Sequence, residues 1–68
     1  MSKEELIEAL EEMIEEEEDG VEAYKELFED INSAGDEYIS AAKIIKEILN
    51  DEEEHIQKLI EAISYLEE

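Results

Sequence analysis

A short break divides the chain at Asn32-Ser33-Ala34-Gly35-Asp36, a run that holds turn-forming residues and one of the two glycines. Glycine is favoured just past a helix end and Asp36 is a candidate N-cap, so the run predicts that one helix ends and another begins. The flanking segments are each about thirty residues long, roughly 45 Å as helices, and so short a turn must fold them back antiparallel. The sequence therefore predicts one all-α domain, residues 1–68, with helix one at about 3–32, the turn at about 32–36 and helix two at about 37–67.

Helix one is predicted from a start signal and from its apolar period. Ser2 and Glu5 have the spacing of a capping box, and Leu6 begins the apolar pattern directly after them. The pattern then advances in steps of three and four along one face: Leu6, Leu10, Met13, Glu17, Gly20, Tyr24, Leu27 and Ile31. Four more apolar residues widen that face: Ile7, Ile14, Val21 and Phe28. This spacing is typical of an amphipathic helix.

Helix two repeats the spacing, and together the helices favour pairing of two hairpins. Its face comprises Tyr38, Ala41, Ala42, Ile45, Ile48, Leu49, Glu52, His55, Ile56, Leu59, Ala62, Ile63 and Leu66. Each apolar face is wider than one neighbouring helix can cover, which would leave a long apolar stripe in water. We therefore expect a homodimer, or a higher oligomer of dimers, in which two hairpins form a four-helix bundle.

Composition limits both the fold and the partners. A 68-residue domain usually needs a disulfide, a metal or self-association for stability, and this chain has no cysteine. Its 24 acidic and 5 basic residues give a net charge of −19, which would repel nucleic acid and anionic membranes and attract cations. The N-terminus does not look like a signal peptide and no apolar run approaches a membrane span, so we expect a soluble, cytoplasmic protein.

Three ionisable residues occupy apolar positions of these patterns: Glu17 in helix one, and Glu52 and His55 in helix two. Glu17 lies seventeen residues before Ala34 and Glu52 lies seventeen residues after Gly35, which predicts a common level in the hairpin. Burying an unpaired carboxylate costs several kcal/mol, and the few lysines fall mainly on the polar face of helix two. A metal ion is therefore the predicted partner, and the alternative is a helix rotation that leaves all three residues in solvent.

The run Glu52-Glu53-Glu54-His55 places a carboxylate and an imidazole on one helical face, where both can hold one ion. A glutamate three residues before a histidine is weak evidence by itself in so acidic a chain. Under two-fold symmetry, however, two copies of Glu17, Glu52 and His55 would supply four carboxylates and two imidazoles, enough to balance two divalent ions. Oxygen and nitrogen ligands without sulfur suit iron or manganese, and zinc stays an alternative.

These residues are similar to the ferritin-like superfamily, especially the rubrerythrins and the encapsulated ferritins. In those proteins a ligand glutamate on the first helix is followed seven residues later by a tyrosine, and the second helix carries ExxH. Glu17, Tyr24 and Glu52-x-x-His55 match that pattern, within a resemblance that runs from about Ile14 to Leu59. The resemblance implies two iron ions per dimer, with Glu17 as a terminal ligand, Glu52 as a bridging ligand, His55 as the nitrogen ligand and Tyr24 beside them. It also implies ferroxidase activity, the oxidation of Fe(II) by oxygen or peroxide, in iron handling or detoxification.

The chain also departs from the family pattern. Encapsulated ferritins likewise carry one helix pair per chain and complete their site by dimerising, but Ala23 stands where they tend to place a tryptophan. The sequence stops at Glu68 without a shell-targeting tail, which argues against packaging in an encapsulin shell, and it lacks the extra helix of cage ferritins. A freestanding or engineered minimal member of the family fits these features.

Other functions are compatible with the same residues. A rubrerythrin-like peroxide reductase would need an external electron donor, because the chain has no cysteine. A metal-buffering protein would hold its ion in the divalent state, and a purely structural acidic hairpin would dimerise or dock on a basic partner without metal.

Several neighbouring residues allow a functional and a structural interpretation. Tyr24 can hydrogen-bond a ligand carboxylate or simply fill the core, and Asp51 can orient His55 or remain a solvated carboxylate. Gly20 can permit close helix approach, leave space beside the metals or merely weaken the helix. Glu16 and Asp19 can attract incoming iron or form part of the solvated face.

Overall fold

Two long α-helices pack side by side along most of the chain. The computed structural model describes residues 1–68 and contains α1, Lys3–Ala34, a short 3-10 helix, Asp36–Tyr38, and α2, Ile39–Glu67. The molecule measures 51 × 15 × 12 Å, which is one helix long and two helices wide, as an antiparallel hairpin requires. The chain is therefore all-α, as its periodicity predicted, and no helix combines the length and the apolarity needed to cross a membrane.

The predicted capping box closes the start of α1. Ser2 Oγ accepts a hydrogen bond from the Glu5 amide at 3.1 Å, and the Ser2 amide donates to Glu5 Oε1 at 3.2 Å. These bonds give partners to amide groups that have none within the helix, so α1 begins at Lys3.

The turn depends on Gly35 rather than on Asp36. Gly35 has φ +143° and ψ 163°, a conformation that is essentially confined to glycine. Its carbonyl accepts a hydrogen bond from the Tyr38 amide at 3.1 Å, which forms the 3-10 helix. The predicted N-cap role of Asp36 is wrong, because Asp36 is the first residue of that helix and no side chain caps it.

The core of a single hairpin is thin. Only Val21, Ala42 and Leu49 are buried. Val21 belongs to a row of residues spaced by seven, whose other members are half-buried: Ile7, Ile14 and Phe28. We predicted this row as the edge of the apolar face, but it contains Val21, the one buried residue of α1.

Two further rows, one on each helix, are only partly covered, and we call the surface that they form the open face. Its row on α1 holds Leu6, Met13, Gly20 and Leu27, and its row on α2 holds Ala41, Ile48, His55 and Ala62. Leu6, Met13 and Leu27 are 38%, 52% and 42% exposed. The hairpin exposes 5195 Å² in all, whereas a compact monomer of 7.9 kDa exposes roughly 4400 Å². A single hairpin therefore leaves apolar surface that a second partner could cover.

Candidate metal centre

Glu17, Glu52 and His55 converge at one level of the hairpin. His55 Nδ1 lies 3.5 Å from Glu17 Oε2 and 3.9 Å from Glu52 Oε1. One ligand atom from each residue can be chosen so that all three lie within 4.8 Å of one another. The convergence follows from the turn, because equal residue counts along two antiparallel helices lead to equal heights.

Burial within the group is uneven. The Glu17 and Glu52 side chains are 27% and 23% exposed, whereas the His55 side chain on the open face is 52% exposed. Glu17 Oε2 is buried and has no hydrogen-bond partner. Such an orphaned carboxylate oxygen is unfavourable unless a cation or a proton donor reaches it.

The two carboxyl groups disturb each other. The pKa of Glu52 is raised above its ordinary value, chiefly because a protonated Glu52 can hydrogen-bond to Glu17. Desolvation and the negative charge of Glu17 act in the same direction, as does Asp51, while His55 acts against them. The ionised form of Glu52 is thus disfavoured in the metal-free hairpin, and a bound cation would favour it.

A cleft of about 420 Å³ lies beside the group on the open face, lined by Met13, Glu16, Glu17, His55, Lys58 and Leu59. Lys58 extends to Glu54, with 3.4 Å between Nζ and Oε1, so its ammonium pairs outside the group. No other lysine makes an ion pair, and none neutralises Glu17 or Glu52. Sequence reasoning missed Met13, Lys58 and Leu59 as cleft residues, although each lies three or four positions from Glu17 or His55 and so on the same face.

The structure does not bring every predicted site residue into the group. Tyr24 is half-buried two turns along α1 from Glu17, and its hydroxyl makes no hydrogen bond, so its predicted link to a ligand carboxylate is not seen. Asp51 is exposed and makes no hydrogen bond to His55. Of the two interpretations of Asp51, the structure therefore agrees with the solvated carboxylate.

The distances suit a metal ion bound by oxygen and nitrogen. Two ligand atoms about 2.1 Å from one ion lie roughly 3.0 to 3.5 Å apart at ordinary coordination angles, close to the separation of His55 Nδ1 and Glu17 Oε2. One chain supplies only three such residues, with no sulfur among them. The donor set therefore fits a divalent iron, manganese or zinc ion with coordination positions left open.

No protein-family model matches the chain, and neither the curated proteins nor the solved structures gave a significant match. The function must accordingly be inferred from the residues and distances of this site.

Proposed function

We propose that the protein is a non-haem di-iron protein that oxidises Fe(II) to Fe(III) at a site shared between two subunits. The observation that carries the proposal is the buried, unpartnered Glu17 Oε2, which faces His55 Nδ1 beside a second carboxylate. No lysine approaches these carboxylates, and a divalent metal ion is the cation that we propose for them.

The open face supports pairing with a second copy. It carries His55 and the cleft together with the exposed apolar row of α1, so a partner placed there would meet the ligands directly. The hairpin exposes roughly 800 Å² more surface than a compact monomer of the same mass, which is about the area that one partner buries in a standard protein interface. A two-fold axis through this face would combine four carboxylates and two imidazoles, whose four negative charges balance two divalent ions.

Iron is the metal we propose, because oxygen and nitrogen ligands without sulfur suit it and because Glu17, Tyr24, Glu52 and His55 resemble the ferritin-like pattern. Fe(II) is then the substrate: two ions supply two electrons, which with two protons reduce O₂ to H₂O₂. The role of the chain is to hold the charge. Glu17 and Glu52 would balance the positive charge of the iron, and His55 would supply a nitrogen donor.

Titration of the purified protein with Fe(II) under anaerobic conditions, followed by exposure to air, tests the proposal. We expect saturation at one iron per chain, a dimer stabilised by the metal and a rapid rise in near-ultraviolet absorbance in air. Glu52→Ala should abolish all three, and Glu53→Ala, which removes the same charge from the adjacent exposed position, should retain them.

The same titration separates the alternatives. Iron that binds but stays divalent in air would indicate a buffering protein, and peroxide consumption coupled to an added reductant would indicate a peroxide reductase. Absence of saturable binding, or binding that Glu52→Ala retains, would overturn the metal site and leave a structural acidic hairpin.

A further inference from the structure

Gly20 lies on α1 one turn after Glu17, opposite the Glu52 carboxylate. A Cβ atom placed on Gly20 would lie 3.0 Å from Glu52 Oε2 and 3.9 Å from Glu52 Cδ. These are the only atoms of other residues beyond the helix's own backbone that come within 4 Å of that position. The missing side chain of Gly20 therefore leaves room for one carboxylate.

The backbone does not explain the glycine. Gly35 is the only residue with a positive φ, and Gly20 has ordinary helical geometry within α1. Glycine there disfavours the helix relative to alanine. Close approach of the two helices does not explain it either, because no backbone atom of α2 lies near the position that a Cβ would take.

The two oxygens of Glu52 have different surroundings as a result. Oε1 is directed to His55 Nδ1, 3.9 Å away, whereas Oε2 occupies the notch over Gly20. The notch belongs to the open face, where Gly20 stands in the row of Met13 and Leu27. Glu52 can therefore direct one oxygen towards His55 while the other occupies the space that a side chain at position 20 would fill.

We propose that Gly20 is a positioning residue for Glu52, seating its carboxylate so that both oxygens are available to metal. This inference rests on the proposed metal site. A Cβ at 3.0 Å would require the Glu52 carboxylate to give way by a few tenths of an ångström, away from the position in which it lies beside His55 and Glu17. Gly20 thereby sets how tightly the site holds a divalent cation.

Gly20→Ala separates this role from a structural one. Alanine favours the helix, so the thermal midpoint of the metal-free variant should equal or exceed that of the unmodified protein. Its affinity for Fe(II), measured anaerobically by competition with a chelator, should nevertheless fall by about tenfold or more. Ala23→Gly, which changes helix propensity at a nearby exposed position, should lower the midpoint and leave the affinity unchanged.

A second background, in which the side chain at position 52 is shorter, tests whether Gly20 acts through Glu52. In a Glu52→Asp background the carboxylate no longer reaches the notch, so Gly20→Ala should cause little further loss of affinity. An unchanged affinity in Gly20→Ala alone, or the same loss in both backgrounds, would overturn the positioning role, as would a loss accompanied by a lower midpoint. Failure of the unmodified protein to bind Fe(II) would instead overturn the proposed function, and the inference with it.

Discussion

His55 Nδ1 lies 3.5 Å from Glu17 Oε2, so an imidazole on α2 faces the one buried side-chain polar atom that has no hydrogen-bond partner. The separation is too long for a strong hydrogen bond and suits two ligands of one ion. On the proposed function, a bound cation would relieve this unpartnered oxygen, which is unfavourable in the metal-free hairpin.

Glu17→Gln should stabilise the metal-free protein while weakening metal binding. The amide preserves the size of the side chain and removes the charge that opposes ionised Glu52. In the presence of a chelator, thermal unfolding should show a midpoint a few degrees higher, since about 1 kcal/mol shifts a domain of this size by roughly 4–8 °C. Glu16→Gln removes the same charge from the adjacent exposed residue, and an equal gain from it would show that only net charge matters.

Acidification should stabilise the metal-free protein. The raised pKa means that folded Glu52 binds its proton more tightly than the unfolded chain does. The stabilisation that protonation of Glu52 gives the folded state is therefore fully present below the unfolded pKa and is lost as the pH rises through the raised folded pKa. The thermal midpoint in chelator should rise as the pH falls from 7 towards the ordinary pKa of glutamate.

Protonation at low pH also reduces the net charge of −19, and with it the charge repulsion that destabilises the fold. Matched variants are therefore needed to identify how much of the pH dependence comes from Glu52. Glu52→Gln should flatten the pH dependence of the midpoint more than Glu53→Gln does. Parallel curves for the two variants would contradict a special role for Glu52.

Leu27→Lys should prevent pairing of two hairpins. Leu27 is 42% exposed on the open face, and lysine there would bring a charge into the interface that we propose. Sedimentation should show a monomer that retains its helicity by circular dichroism. Glu26→Lys also reduces the negative charge but lies off that face, so it should pair at least as well as the unmodified protein.

Gly35→Ala should destabilise the hairpin by about 1–3 kcal/mol, because φ +143° is strained for any residue with a Cβ atom. Urea unfolding at fixed protein concentration measures the change. Ala34→Gly alters the preceding residue without requiring that conformation, so a loss of similar size there would contradict this explanation.

The level of the ligands could be predicted from the sequence, whereas the rotation of the helices could not. The position of the turn alone fixes the heights of Glu17 and Glu52. The apolar arc of α1 contains three adjacent rows, and only packing decides that Val21 becomes buried against α2 while Leu27, on the opposite edge of the arc, stays exposed. The sequence likewise did not reveal that Gly35, with its positive φ, precedes the 3-10 helix and that Asp36 lies inside that helix instead of capping it.

The thin core of the hairpin also governs how long the protein survives. With only Val21, Ala42 and Leu49 buried, few apolar contacts oppose separation of the helices, and we expect an isolated copy to open often enough for proteases to cleave it. The pairing and the metal binding that we propose would each withdraw copies from that open population by mass action. Abundance would then become a threshold property: below the concentration at which copies pair, the chain would be cleared quickly, and above it the chain would persist.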